Sequence, residues 1–401
     1  MWKLFNGPEQ RSAEQALVSP EKPLRDYRLD LLRGLMLIII FINHMPGHVL
    51  AHYTPSHFSF SDAAEIFVLL AGVSSTLAYG RQIDQQGLTL PLIRIVARLW
   101  TLYVAHLVVF LVVCGVVFVA VTRTQNPLYI EIINIQPFIN NPIDALVDVL
   151  MLVYQPNYLN ILPLYIVLLS AFPIIYVCMR LSPFFTLLAS VLLWKSADFF
   201  GINLPDRFGG HWFFNPFAWQ LVFSLGIFIG HCMQLKLALI RSKIITGIAI
   251  LVLVSLSAAK SLPSGFFELP WLDSLIDELH ISNNKMNFAS VRLLHLLSII
   301  WVFCYFTSAR SAFLTTLLSK GLIIIGRQAL AVFCVGTVLS MLGLVIITEY
   351  SYSLTIQLLV CVIGILLLFG LGVFLSWYQS QIGRATSATA HSSISTLAPR
   401  Y

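Results

Sequence analysis

The chain has 401 residues, 58% hydrophobic and 10% charged, with a net charge of +6. Soluble domains carry about 25% charged residues, so this composition and a mean hydropathy of +0.84 exclude an ordinary soluble domain and indicate a polytopic membrane protein. The basic residues are scattered between apolar runs with no aromatic-interleaved patch, which argues against nucleic acid as a partner and for a charge pattern set by membrane topology.

In chain order, residues 1–24 are polar for too long to be a cleaved signal peptide and read as a cytoplasmic tail. Apolar stretches long enough to cross a bilayer, or nearly so, follow at 30–50, 62–80, 99–121, 161–180, 184–200, 217–235, 244–259, 290–308, 321–347 and 353–378. The run "NPIDALVDVLMLVYQP" at 141–156 is too short and is flanked by prolines, so it reads as an amphipathic or re-entrant segment. Residues 381–401 form a second, low-complexity tail. The expected fold is an all-α polytopic membrane protein: a bundle of about ten transmembrane helices plus one short re-entrant or amphipathic segment, with both termini cytoplasmic and one integral-membrane domain over 25–380. Charge supports this count. With the N-terminus inside, seventeen Lys and Arg fall on the cytoplasmic side and six on the other, from Arg123 to Arg292. Counting 141–156 as a full span reverses every later loop and destroys the bias.

Ionisable groups inside a bilayer cost at least ~2.5 kcal/mol by insertion scales and usually face a cavity, a partner or a substrate path. Asp30, Arg33, Asn43 and His44 lie in the first span, and Asp62 and Glu65 open the second. On a helix, Arg33 and His44 are about three turns apart and point the same way, roughly 16 Å from each other along the axis. That shared face through the membrane favours function over chance. The plainer reading pairs Asp30 with Arg33, places His44 at a helix end, and leaves His48, His52 and His57 solvated in the following loop. Glu65 either orients a histidine or pairs with an arginine. Arg94 and Arg98, one turn apart at a helix start, fit either a positive-inside anchor or a clamp for a phosphate. Lys285, Arg292 and His295 cluster at the outer end of another span and suit an acidic ligand. The six cysteines sit in apolar runs with no CxxC pair and read as small hydrophobes, and no histidine spacing suggests a metal site.

"RDYRLDLLRGLMLIIIFINHMPGH" followed by "SDAAEIFVLLAG" resembles the opening of the OpgC family, membrane proteins associated with succinylation of osmoregulated periplasmic glucans. That family is similar to the acyltransferase type 3 superfamily, whose first span carries Arg, ten residues, then His, as Arg33 and His44 do here. "YLNILPLYIVLLSAFP", "NPFAWQLVFSLGIFIG" and "IGRQALAVFC" also resemble OpgC segments, in the same order. Members of that family often carry Asp where this chain has Asn43 and Asn160. The resemblance implies a multi-pass protein of the bacterial inner membrane that moves an acyl group, foremost succinyl, from acyl-CoA to a periplasmic glucan or other glycan, without a metal. It implies His44 as catalytic base or transient acyl carrier, supported by Asp62 and Glu65. Arg33, with Arg94 and Arg98, would hold the CoA phosphates, and Lys285, Arg292, His295 and Asn160 would serve the acyl carboxylate and the acceptor. The rival from another class is a multi-span transporter or flippase whose buried charges relay protons. Against it stand the crowding of polar residues into the first two spans and the lack of paired broken helices.

Overall fold

The computed structural model describes residues 25–207, 210–237, 241–262, 270–281 and 283–396. The N-terminal tail and residues 397–401 lie outside them. Among the described residues the regular structure is helical, with one isolated bridge between Pro205 and His211. We number the longer helices α1 (Tyr27–Asn43), α2 (Ala63–Gln86), α3 (Thr89–Thr124), α4 (Ile161–Leu181), α5 (Pro183–Phe199), α6 (Pro216–Gln234), α7 (Lys243–Ser261), α8 (Pro270–Ile281), α9 (Ser290–Phe306), α10 (Leu317–Arg327), α11 (Ala329–Glu349) and α12 (Leu354–Thr396).

Seven of these are long and apolar enough to cross a membrane: α2, α3, α4, α6, α7, α11 and the Leu354–Ile382 part of α12. Helices α1, α5 and α9 cover three further expected stretches with 17 residues each, about 25 Å of rise. The protein is therefore a multi-pass, all-helical membrane protein. Two expected spans differ. Of the stretch 30–50, α1 takes only the part up to Asn43; His44 caps it, and a separate 3-10 turn follows at Val49–Tyr53. The stretch 321–347 is broken at Gln328, whose backbone leaves the helical region at φ −102° and ψ 34°. Its side-chain amide donates to Gln379 Oε1 at 2.9 Å on α12, so α10 and α11 meet at a bend fixed by another helix. The segment 141–156 holds a helix, Pro142–Leu150, of 9 residues, about 13 Å, well short of the roughly 30 Å hydrocarbon layer. It buries Ala145 and Val149 and leaves Ile143, Leu146 and Val147 exposed.

Local chemistry sets the ends that matter. Asp26 caps α1, accepting from the Arg28 N–H at 3.0 Å. Helix α2 opens with a capping box: the Ala64 N–H donates to Asp62 Oδ1 and the Asp62 N–H to Glu65 Oε2, both at 2.8 Å. Farther along, α2 widens into a π-helical turn at Thr76–Gly80. Two helix pairs approach backbone to backbone through glycine. A Cβ on Gly34 of α1 would overlap the Leu322 carbonyl of α10, and one on Gly326 would overlap the Asp30 carbonyl. Gly72 of α2 and Gly226 of α6 are locked in the same way against the Phe223 and Leu69 carbonyls. Small residues permit such approach where lipid offers no hydrophobic drive between helices. The main core, including Leu37, Phe41, Leu69, Phe172, Trp219 and Phe223, fills the space these pairs enclose.

The loop after α1 corrects one reading. His48 is buried rather than solvated: its Nδ1 accepts from the Leu50 N–H and its Nε2 donates to the Gln357 carbonyl, both at 3.0 Å. Burial pushes this imidazole below its ordinary value, with the Gln357 carbonyl pulling the other way. His52 and His57 pack edge to face on one another, 4.7 Å between ring centres.

Candidate active site

Asp30, 2% exposed, gathers three arginines at one end of the bundle. Arg25 approaches through Nε at 2.6 Å and Nη2 at 3.0 Å, Arg33 through Nη1 at 2.9 Å, and Arg327 of α10 through Nε at 3.9 Å. A single carboxylate thus holds more positive charge than it cancels, which favours an added anion. The expected Asp30–Arg33 pair is present, and Arg33 also donates to Ser74 Oγ on α2.

Arg33, Ser74 and Ala78 line two cavities at once. The wider, about 1330 Å³, is also edged by Arg25, Arg81 and Lys236 together with Asp26, Asp30 and Asp84. The narrower, about 650 Å³, is lined by Arg33, Arg98 and Arg327 with no carboxylate, then by apolar side chains including Leu102, Leu162 and Phe333. Arg33 therefore stands between a larger, charged cavity, the vestibule, and a smaller, more apolar one, the channel. Phe333 of that channel lies edge-on to the His44 ring, 6.4 Å between centres, and Tyr158 meets the same ring at 5.0 Å. His44 Nδ1 is buried and has no hydrogen-bond partner among the described residues. Arg33 thus lines the channel directly, and His44 packs on the outer side of its wall residue Phe333.

Beyond His44 lies a second charged cluster. Lys285 Nζ pairs with Asp62 Oδ2 at 2.5 Å, and the buried Arg292 pairs with Glu65. Ser59 Oγ and His295 Nδ1 are 2.9 Å apart, and Lys260 Nζ lies 5.5 Å above the Phe60 ring. Of the two roles read for Glu65, the structure displays pairing with an arginine. The Asp62–Lys285 pair lies within electrostatic reach of His44.

The structure thus brings Arg33 and Arg98 to one channel, with His44 behind its wall residue Phe333, and Asp62, Glu65, Lys285, Arg292 and His295 to one cluster. Arg94 stands apart: it is exposed, donates to Gln82 Oε1 at 2.6 Å, and lines neither cavity. Asn160 sits at the start of α4, its backbone carbonyl accepting from the Leu164 N–H at 3.3 Å. Asn43 Oδ1 accepts from Thr54 Oγ1 at 2.7 Å. Among the described residues no group of three or more His, Cys, Asp or Glu could hold a metal ion. Sequence reasoning missed Arg25, Arg327 and Lys260, which it counted only as topological charges, and Ser74, Tyr158 and Phe333, which carry no charge pattern. For Tyr158 the only signal was its place in "NYLNILPLY", beside residues that were singled out.

The chain is a multi-pass helical membrane protein with a charged cavity and a more apolar one meeting at Arg33. A family model described as OpgC protein matches residues 25–380, and the chain belongs to the OpgC family. Membership implies a membrane transferase of the acyltransferase kind. No curated protein and no solved structure matches the chain.

Proposed function

We propose that the protein is an integral-membrane O-acyltransferase of the bacterial inner membrane, moving an acyl group, foremost succinyl, from cytoplasmic acyl-CoA to hydroxyls of a periplasmic glucan or other glycan. The observation that carries this reading is Arg33, shared by a vestibule rich in cations and by a channel whose far wall, Phe333, touches His44. Arg33, Arg98 and Arg327 take the phosphates of the donor, and Arg94 helps to recruit it at the surface. The acyl-bearing arm lies along the channel. His44 removes the proton from the acceptor hydroxyl as its oxygen attacks the thioester carbon. The carbon–sulfur bond breaks, and the thiolate leaves with the proton that His44 took. An imidazole can make both transfers because one ring nitrogen takes up a proton and gives it back.

Asp62 and Glu65 act on His44 through the ion-paired cluster. The cluster holds three cations, Lys260, Lys285 and Arg292, against the two carboxylates Asp62 and Glu65. That surplus suits the free carboxylate of a succinyl group, with His295 and Asn160 facing the acceptor side. In this reading ten helices cross, both termini are cytoplasmic, and Pro142–Leu150 does not cross.

The test is mass spectrometry of envelope glycans from a deletion strain complemented with wild type or His44→Gln, alongside acyl-CoA turnover by the purified protein. We expect loss of the acyl mass on deletion, rescue by wild type alone, and turnover lowered by roughly 10²-fold or more in His44→Gln with CoA binding kept. If no glycan changes mass and the purified wild type leaves acyl-CoA intact, the acyltransferase reading falls and a transporter takes its place.

A further inference from the structure

The polar side chains that line the channel fall into two groups. One group is satisfied within the protein. Arg33 and Arg327 pair with Asp30, Ser74 donates to the Leu70 carbonyl, and Gln328 and Gln379 exchange amide hydrogen bonds at 2.9 and 3.1 Å. The other group is not. Ser75 and Tyr79 of α2, Arg98 of α3 and Tyr165 of α4 also line the channel, and their side chains make no hydrogen bond or ion pair with any described residue. None of their polar atoms is sealed inside the packing, so each is open to a ligand in the cavity they line.

These groups come from three helices and meet in space. Tyr165 lies within electrostatic reach of Arg33 and of Tyr79, and Tyr79 within reach of Arg98. Tyr79 sits in the π-helical turn of α2, and such turns concentrate at functional sites. All four side chains donate: a guanidinium presents five N–H groups and accepts nothing, and each phenol or serine hydroxyl supplies an O–H. No carboxylate lines the channel to receive them, so the complement is an oxyanion with several oxygens. Charge sets its size. Three arginines line the channel, and the one carboxylate paired with any of them, Asp30, leaves at least two positive charges over. A single carboxylate leaves one of those uncompensated; a diphosphate does not.

We propose that Ser75, Tyr79, Arg98 and Tyr165 form a binding site for the diphosphate of the acyl donor, in which the two phenols select a diphosphate over a single carboxylate. Arginines attract any anion, whereas hydroxyls fixed on two different helices each require an acceptor oxygen opposite them. This inference rests on the acyl-CoA reading above. It puts the diphosphate in the channel and leaves the larger vestibule to the nucleoside.

The experiment measures binding of CoA and of 3′-dephospho-CoA to the purified full-length protein, and displacement of 3′-dephospho-CoA by inorganic pyrophosphate or by succinate. It is run on wild type, Tyr79→Phe, Tyr165→Phe and the double variant, with thermal unfolding without ligand in parallel. We expect pyrophosphate to displace the ligand from wild type at a concentration roughly 10-fold below that of succinate. Each Phe variant should bind CoA and 3′-dephospho-CoA roughly 10-fold more weakly, by the same factor for both, and unfold at the wild-type temperature. The two single variants stand on different helices, so one that unfolds early leaves the other to decide. A double variant that binds like wild type would overturn the proposal. So would a loss for CoA alone, which moves the tyrosines to the 3′-phosphate, or succinate displacing better than pyrophosphate, which makes the site one for a carboxylate. If wild type binds neither form of CoA, the acyl-CoA reading itself fails; if wild type binds both and the double variant is unchanged, only the assignment of the tyrosines fails.

Discussion

Tyr158 is a bulky residue with φ +69°, a left-handed backbone that favours glycine or asparagine and costs about 1–3 kcal/mol here. The surrounding chain over-determines it. The Tyr154 hydroxyl donates to the Asn134 carbonyl at 2.5 Å, and Asn157 is held at 2.9 Å twice, by its backbone N–H to the Ile133 carbonyl and its side chain to Ile132. The result is an aromatic face set against His44 at 5.0 Å. In the proposed mechanism Tyr158 is therefore a positioning residue for the imidazole. Tyr158→Phe keeps the ring and should hold turnover within about 2-fold, whereas Tyr158→Asn accepts the backbone, loses the ring and should lower kcat roughly 10-fold with KM for acyl-CoA unchanged. The pH profile of kcat should move in the Asn variant and stay put in the Phe variant, because only the former changes what the imidazole rests on. Wild-type kcat with an unmoved profile in Tyr158→Asn would make the strain structural only.

At the scale of elements, α1 is held to α10 and α2 to α6 by backbone contact, and this places Arg327 beside Asp30 and Ser74 beside Arg33. Gly326→Val puts side-chain atoms against the Asp30 carbonyl and the Gly34 nitrogen, and should destabilise the protein by about 1–3 kcal/mol, read as a lower unfolding temperature. Gly115 of α3 meets nothing within 4 Å, so Gly115→Ala should leave that temperature unchanged or raise it through helix propensity. Equal behaviour of the two would mean that close approach does not hold α1 on α10. These contacts were invisible in the sequence because Gly34 and Gly326 are joined only by the fold. Hydropathy did reveal most helices, since a residue facing lipid or core is apolar either way. It missed the break at Gln328 because the run stays apolar while the backbone turns, under the direction of Gln379 on another helix. The same division runs through the site. Arg33 and His44 were legible because one helix carries Arg33 and ends at His44, so periodicity alone relates them. The partners that give them an environment come from α2, α10, α11 and the loop before α4, and no local pattern announces those.

At the scale of the molecule, two long-range contacts constrain how often the chain crosses the membrane. Lys285, just before α9, is ion-paired with Asp62, just before α2, so both lie on one side. Arg28, at the start of α1, donates through Nη1 to the Thr307 carbonyl at the end of α9, at 3.0 Å, so those two share the other side. Each contact requires an even number of crossings between its partners. With α1 to α7 and α9 crossing and Pro142–Leu150 not crossing, there are six crossings from Asp62 to Lys285 and eight from Arg28 to Thr307. If Pro142–Leu150 crossed as well, both numbers would be odd and both contacts would have to join opposite faces of a bilayer. Alkaline phosphatase, active only outside the cytoplasm, reads this directly. Fusions after Gln125 and after Asn157 flank the segment and should both be active, while a fusion after Arg310 should be inactive. Activity at Gln125 with none at Asn157 would make the 9-residue helix a crossing element and separate Lys285 from Asp62. The acyl carboxylate site proposed at that cluster would then have to be given up along with the ten-helix count.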